Sequence, residues 1–104
     1  MVAQKTRARI PIPKKELEDF CRHYQVQRLA LFGSILGKDF RADSDVDVLV
    51  SFALEARVSF LTLSRMQREL SALFQRPVDL VPMDGLKPVI REHVLSKLEE
   101  VYAA

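Results

Sequence analysis

Asp45-Val46-Asp47-Val48-Leu49-Val50-Ser51-Phe52 alternates without a break. On a strand, successive side chains leave opposite faces, so Val46, Val48, Val50 and Phe52 point one way and Asp45, Asp47, Leu49 and Ser51 the other. Branched valines at every second place suit a pleated, packed surface, which puts this strand in the body of a domain. The other face carries two carboxylates whose Cα atoms lie roughly 6.5–7 Å apart from the strand rise. Two anions held that close repel, and a plain structural strand would avoid them. A divalent cation between them removes the conflict. Mg2+ takes carboxylate and phosphate oxygens together, and a pair of such ions stabilises both the attacking and the leaving oxygen of a phosphoryl displacement. The competing reading, a solvent-facing sheet edge that happens to carry two aspartates, is argued against by the valines between and after them.

The neighbouring segments complete an alternating pattern. Upstream, Leu29-Ala30-Leu31-Phe32 is a short apolar run ending at Gly33, predicted as a strand buried on both faces. Gly33-Ser34 turns the chain into a short helix that stops between Gly37 and Phe40, followed by a polar loop over 41–44. Before that, Leu17, Phe20, Cys21 and Tyr24 recur at spacings of three and four, which predicts a helix over 14–24. Residues 1–13, with Pro11 and Pro13, read as an extended basic lead-in and 14–104 as the domain.

Downstream, a helix is predicted over about 57–75, with Val58, Leu61, Met66, Leu70, Leu73 and Phe74 on its apolar side. Val78-Asp79-Leu80-Val81 is a third strand. After a turn at Asp84-Gly85, a last helix is predicted from Leu86 to Val101, with Ile90, Val94, Leu98 and Val101 as its inner stripe and Pro88 in its first turn, where no backbone N–H is missed. Alternation of helices and strands predicts an α/β (α+β) domain: a small mixed sheet of about three strands packed with helices.

Two further features point at the same chemistry. Asp79 is the only charged residue in Val78–Val81, and it joins Asp45 and Asp47 if the two strands are neighbours. Three carboxylates can hold two metals, or one metal plus a base for an acceptor hydroxyl. The alternative for Asp79 is a strand-end aspartate near Arg76. A strand ending in Gly33-Ser34 can aim backbone N–H groups at a phosphate. Glycine lets the ligand approach the backbone closely, and Ser34 adds a hydroxyl donor. Alone this dipeptide is only a turn and helix cap; its value lies in its distance from the aspartates.

Gly33-Ser34, ten intervening residues and Asp45-Val46-Asp47 resemble the signature of the DNA polymerase β-like nucleotidyltransferase superfamily. The wider stretch from Leu31 to Val50 is similar to its minimal nucleotidyltransferase (MNT) branch, and Val78-Asp79-Leu80-Val81 resembles the strand supplying the third family carboxylate. The resemblance spans residues 14–102. It implies the nucleotidyltransferase core fold, Gly33 and Ser34 on the nucleotide phosphates, Asp45 and Asp47 as Mg2+ ligands, Asp79 completing the site, and ATP as donor with pyrophosphate leaving. Relatives often carry an arginine near the place of Gly37. Here glycine removes a phosphate partner, and Lys38 is the candidate replacement.

Composition narrows the alternatives. Hydrophobic residues make up 48% of the 104 and charged ones 29%, enough for one core and ordinary for a globular chain. A net charge of +2 is too small to argue for direct nucleic-acid binding, and the basic arm Lys5, Arg7, Arg9, Lys14 and Lys15 reads as a solvated terminus. No apolar run approaches the length of a membrane span, and no signal core precedes the domain, so a cytoplasmic protein is expected. Cys21 is the single cysteine and reads as a packed residue. His23 and His93 lack partners at zinc-ligand spacing. Tyr24 and Tyr102 are acceptor-type hydroxyls open to self-modification, and Arg91 either reaches the nucleotide pocket or, as expected, pairs with Glu92 or Glu99 on the surface.

A chain this short leaves little room for a separate acceptor-binding region, so a partner is expected to present the acceptor. Relatives in the MNT branch commonly pair with a HEPN-family ribonuclease toxin encoded alongside. The resemblance therefore implies transfer of AMP from ATP to a hydroxyl, a tyrosine, of that toxin, making the chain the antitoxin of a type VII-like pair, with homo-oligomer and hetero-oligomer with the toxin both open. The alternatives are an antitoxin that neutralises by binding alone with idle carboxylates, and an enzyme acting on a small molecule or RNA.

Overall fold

The computed structural model describes residues 10–37, 40–41 and 44–104. Among these, helix α1 (Lys14–His23) leads into strand β1 (Val26–Phe32), then a one-turn 3-10 helix over Gly33–Leu36. Strand β2 (Val46–Phe52), helix α2 (Phe60–Phe74) and strand β3 (Val78–Pro82) follow. A second 3-10 turn, Met83–Gly85, precedes helix α3 (Pro88–Ser96) and strand β4 (Glu99–Ala103). The sheet is ordered β3-β2-β1-β4. β1 runs antiparallel to both β2 and β4, and β2 runs parallel to β3 through the α2 crossover.

The alternation in β2 holds. Val46, Val48 and Val50 are fully buried in one hydrophobic cluster with Leu29 and Leu31 of β1, Leu17, Phe20 and Cys21 of α1, and Met66, Leu70 and Phe74 of α2. The α2 residues recur every fourth place, so one stripe meets the sheet. Ser59 caps α2 by accepting from the Thr62 N–H at 3.1 Å, satisfying one of the donors a helix start leaves open. The cap starts the helix at Phe60, later than expected. Phe60 and Leu61 stay exposed rather than joining the apolar side. Side chains of α2 also tie down β3: Ser71 Oγ accepts from the Val78 N–H at 3.0 Å, and Gln67 Oε1 from the Leu80 N–H at 2.9 Å.

The C-terminal segment departs from the expected long helix. α3 ends at Ser96, and residues 99–103 form a fourth strand on the free edge of β1, with Leu31 opposite Glu99 and Leu29 opposite Tyr102. The spacing of Ile90, Val94, Leu98 and Val101 mimics a helix. Yet Val101 is buried between exposed Glu100 and half-buried Tyr102, which is strand behaviour. An uncovered β1 edge would present unpaired backbone donors and acceptors; β4 satisfies them, and Arg28 pairs with Glu100 across the strands. Ile90 is exposed, not inward. Ala30 and Leu49, opposite one another in register, are buried on the second face of the sheet, outside the main cluster. β1 is thus covered on both sides, as its sequence predicted.

Candidate active site

The parallel pairing of β2 with β3 decides where Asp79 lies. Val46 is opposite Val78 and Asp47 opposite Asp79, so the two carboxylates leave the same face on adjacent strands, about 4.8 Å apart along the hydrogen-bonding direction. Phe32, the last residue of β1, is opposite Asp47 on the other side. Asp45 stands one residue before β2. Asp45 and Asp79 are exposed and Asp47 is half-buried. Burial first, then the charges of Asp79 and Asp45, push the Asp47 carboxyl above its ordinary range. All three effects disfavour an anion there; a cation reverses the last two.

Among the described residues, no three acidic, histidine or cysteine side chains converge tightly enough to enclose an ion alone. An ion bound there would draw remaining ligands from substrate phosphates and waters.

Gly33 sits directly against this cluster. Its φ is +80, the region L side chains rarely adopt. A Cβ added there would fall on the Asp47 carboxylate, 3.2 Å from its Cγ. Glycine is therefore needed twice, for the turn out of β1 and for room beside Asp47. No side chain among the described residues caps the 3-10 helix that begins at Gly33, and the first N–H groups of a helix have no partner within it. Ile35, fully buried, anchors the turn in the core.

The loop before Asp45 is held by Arg76. Its guanidinium lies 4.6 Å from the centre of the Phe40 ring and donates to the backbone oxygens of Arg41 at 3.2 Å and Ser44 at 3.5 Å. Lys38 lies outside the described residues. Gly37 closes the 3-10 turn in an extended conformation, and a Cβ there would meet nothing nearer than the Ser34 oxygen at 3.7 Å. Among the described residues, no packing requires this glycine.

A cleft of about 670 Å³ opens beside Phe32, Gly33, Ser34 and Gly37, and its far wall is His93, Val94 and Lys97. Lys97 stands here because α3 ends at Ser96; a helix continued to Val101 carries it along a shaft instead. Glu99-Glu100-Val101-Tyr102-Ala103 does not alternate, so no local signal stops that helix.

The remaining candidates fall away from the site. Burial pushes the Cys21 thiol up to about 12, which leaves no thiolate to act as nucleophile. Tyr24 donates to Glu69 and lies before β1, at the opposite end from Gly33; the strand's seven residues put roughly 20 Å between them. Self-modification of Tyr24 within one molecule is out of reach. The Arg91 guanidinium donates to the Leu86 backbone oxygen at 3.4 Å rather than pairing with Glu92 or Glu99.

The nucleotidyltransferase domain family matches residues 14–101. The chain belongs to that family. This nucleotidyltransferase is 36% identical over 85 residues to protein adenylyltransferase MntA of Thermococcus cleftensis, a match covering 82% of this chain and 81% of that protein. Its fold is similar to that of a chain in the crystal structure of a toxin-antitoxin with AMP-PNP, with a TM-score of 0.73 and 19% identity over 89% of this chain and 75% of the other. It is also similar to a chain of the tri-AMPylated Shewanella oneidensis HEPN toxin in complex with MNT antitoxin, with a TM-score of 0.65 and 19% identity, covering 88% and 70%. No helix among the described residues is long and apolar enough to cross a membrane.

Proposed function

We propose that this nucleotidyltransferase is an antitoxin that transfers AMP from ATP to a tyrosine hydroxyl of a HEPN-family toxin, in the cytoplasm, with Mg2+ held by Asp45, Asp47 and Asp79. The observation that carries the reading is the row Asp79–Asp47–Gly33 across one end of the sheet: carboxylates for a metal beside a side-chain-free turn for phosphates. The relatedness to MntA supports protein as the acceptor.

The chain's residues divide the work. Gly33 and Ser34 seat the phosphates through backbone N–H groups and the Ser34 hydroxyl, and Arg76 holds the loop that presents Asp45. Asp79, exposed at the rim, is placed to accept the proton of an incoming hydroxyl. Mg2+, when bound, supplies charge stabilisation to the phosphate oxygens.

The test uses the full chain, Mg2+, α-labelled ATP and its cognate HEPN-family toxin. Label is expected on the toxin and should fall at least about a hundredfold in Asp47→Asn, because a metal ligand accounts for several kcal/mol of transition-state charge stabilisation. An unlabelled toxin with wild-type protein sinks the transfer reading. Unchanged protection of cells by Asp47→Asn, at equal abundance, would show that binding alone neutralises the toxin.

A further inference from the structure

The cleft beside the Gly33-Ser34 turn has a wall that the aspartates do not reach. It is made by the end of α3, where His93, Val94 and Lys97 face Phe32, Gly33 and Ser34. Lys97 caps the C-terminus of α3, and two residues later Glu99 enters β4 opposite Leu31. Across this end of the sheet the order is therefore Asp79, Asp47, Phe32-Gly33, then Lys97. The phosphate turn lies between a group of carboxylates and an ammonium. Lys97 is exposed and has no ion-pair partner among the described residues, so its charge is free to meet a ligand.

A polyanion seated on Gly33-Ser34 has unlike surroundings at its two ends. At the aspartate end, a phosphate needs a metal to approach at all. At the Lys97 end, a fixed cation on a flexible four-carbon stem meets it directly.

We propose that Lys97 binds the β- and γ-phosphates of the nucleoside triphosphate, the end that leaves as pyrophosphate. This rests on the nucleotidyl-transfer reading above. In that reaction the acceptor oxygen attacks the α-phosphorus, and the bond from that phosphorus to the oxygen bridging to the β-phosphorus breaks. The electron pair of the broken bond stays on the bridging oxygen, and the hydroxyl proton passes to Asp79 and then to solvent. Negative charge builds on the departing pyrophosphate, and a positioned ammonium stabilises it. His93, four residues earlier on the same wall, lines the side of the slot.

The experiment measures binding of MgATP, inorganic pyrophosphate with Mg2+, and AMP to the full chain and to Lys97→Met and Lys97→Arg, with melting curves as a folding control. Lys97→Met should weaken ATP and pyrophosphate about tenfold, the size of a charge-assisted contact, and change AMP by less than about twofold. Lys97→Arg should restore most of the loss. Equal loss for ATP and AMP, or unchanged ATP affinity in Lys97→Met, overturns the proposal while the transfer reading stands. A wild-type protein that binds no MgATP overturns the nucleotide site itself. Should Lys97→Met melt early, Lys97→Gln reads the same ATP-to-AMP ratio in its place.

Discussion

On one side of the cleft, Gly33 is packed against Asp47, Ile35 is fully buried, and β1 and β2 pair in unbroken register from Arg28 to Phe32. On the other side, α3 buries a single residue, Val94, while Val89, Ile90 and Leu95 are exposed. The first wall is an extension of the main core; the second buries little apolar surface of its own. Local stability follows how much apolar surface each element buries, so the wall with the carboxylates is rigid and the wall with Lys97 is soft. A metal-dependent displacement needs its carboxylates fixed relative to the phosphates, because misplacement at the reacting atoms costs rate directly. The grip on the leaving end tolerates adjustment as the ligand arrives.

That contrast breaks if the two walls respond alike to truncation. Ile35→Ala should destabilise the protein by about 2–5 kcal/mol, the usual loss for emptying a full core site. Val94→Ala should cost no more than about 2 kcal/mol. Chemical denaturation reads both, and equal losses would contradict two unequal walls.

Two glycines sharpen the comparison within the turn itself. Gly33→Ala should cost about 1–2 kcal/mol from its left-handed backbone alone and should also abolish nucleotide binding, because the new methyl displaces the Asp47 carboxylate. Gly37→Ala, with φ −113 and open space around it, should be neutral or stabilising by about 0.4–1 kcal/mol, since alanine narrows the unfolded ensemble. Thermal melts of the two variants should move in opposite directions.

The smallest effect concerns charge. Asp47 has its carboxyl raised in the folded state, so the native protein binds that proton more tightly than the unfolded chain does. Stability of the metal-free protein is then greater where Asp47 is protonated and falls as pH rises from the ordinary carboxylate value through the raised one. Asp47→Asn should melt above wild type at neutral pH, with the gap closing as pH is lowered through that window. A gap independent of pH would place its origin elsewhere than in the crowded carboxylates.

Much of this was legible from residue order. Period two in 45–52 yields β2 and its two faces with no knowledge of neighbours, because a strand's side chains alternate whatever they pack against. The first helix and the early apolar run were equally plain. The end of the chain misled: Ile90, Val94, Leu98 and Val101 fit a helix as well as a strand fits 99–103, and only the free edge of β1 chose between them. Leu61 and Ile90 look inward by spacing and lie exposed, because the capped start of α2 and the light packing of α3 leave them nothing to pack against.

By itself, the sequence determined that Asp45 and Asp47 share a face and that a Gly-Ser turn precedes them, since both follow from local backbone geometry. Only the tertiary structure decided that Asp79 stands opposite Asp47, that Gly33 must lack a side chain because Asp47 occupies its space, and that Lys97 closes the far side of the cleft. Those facts depend on strand order and register, which arise when distant segments pair and are not encoded in any one stretch of the chain.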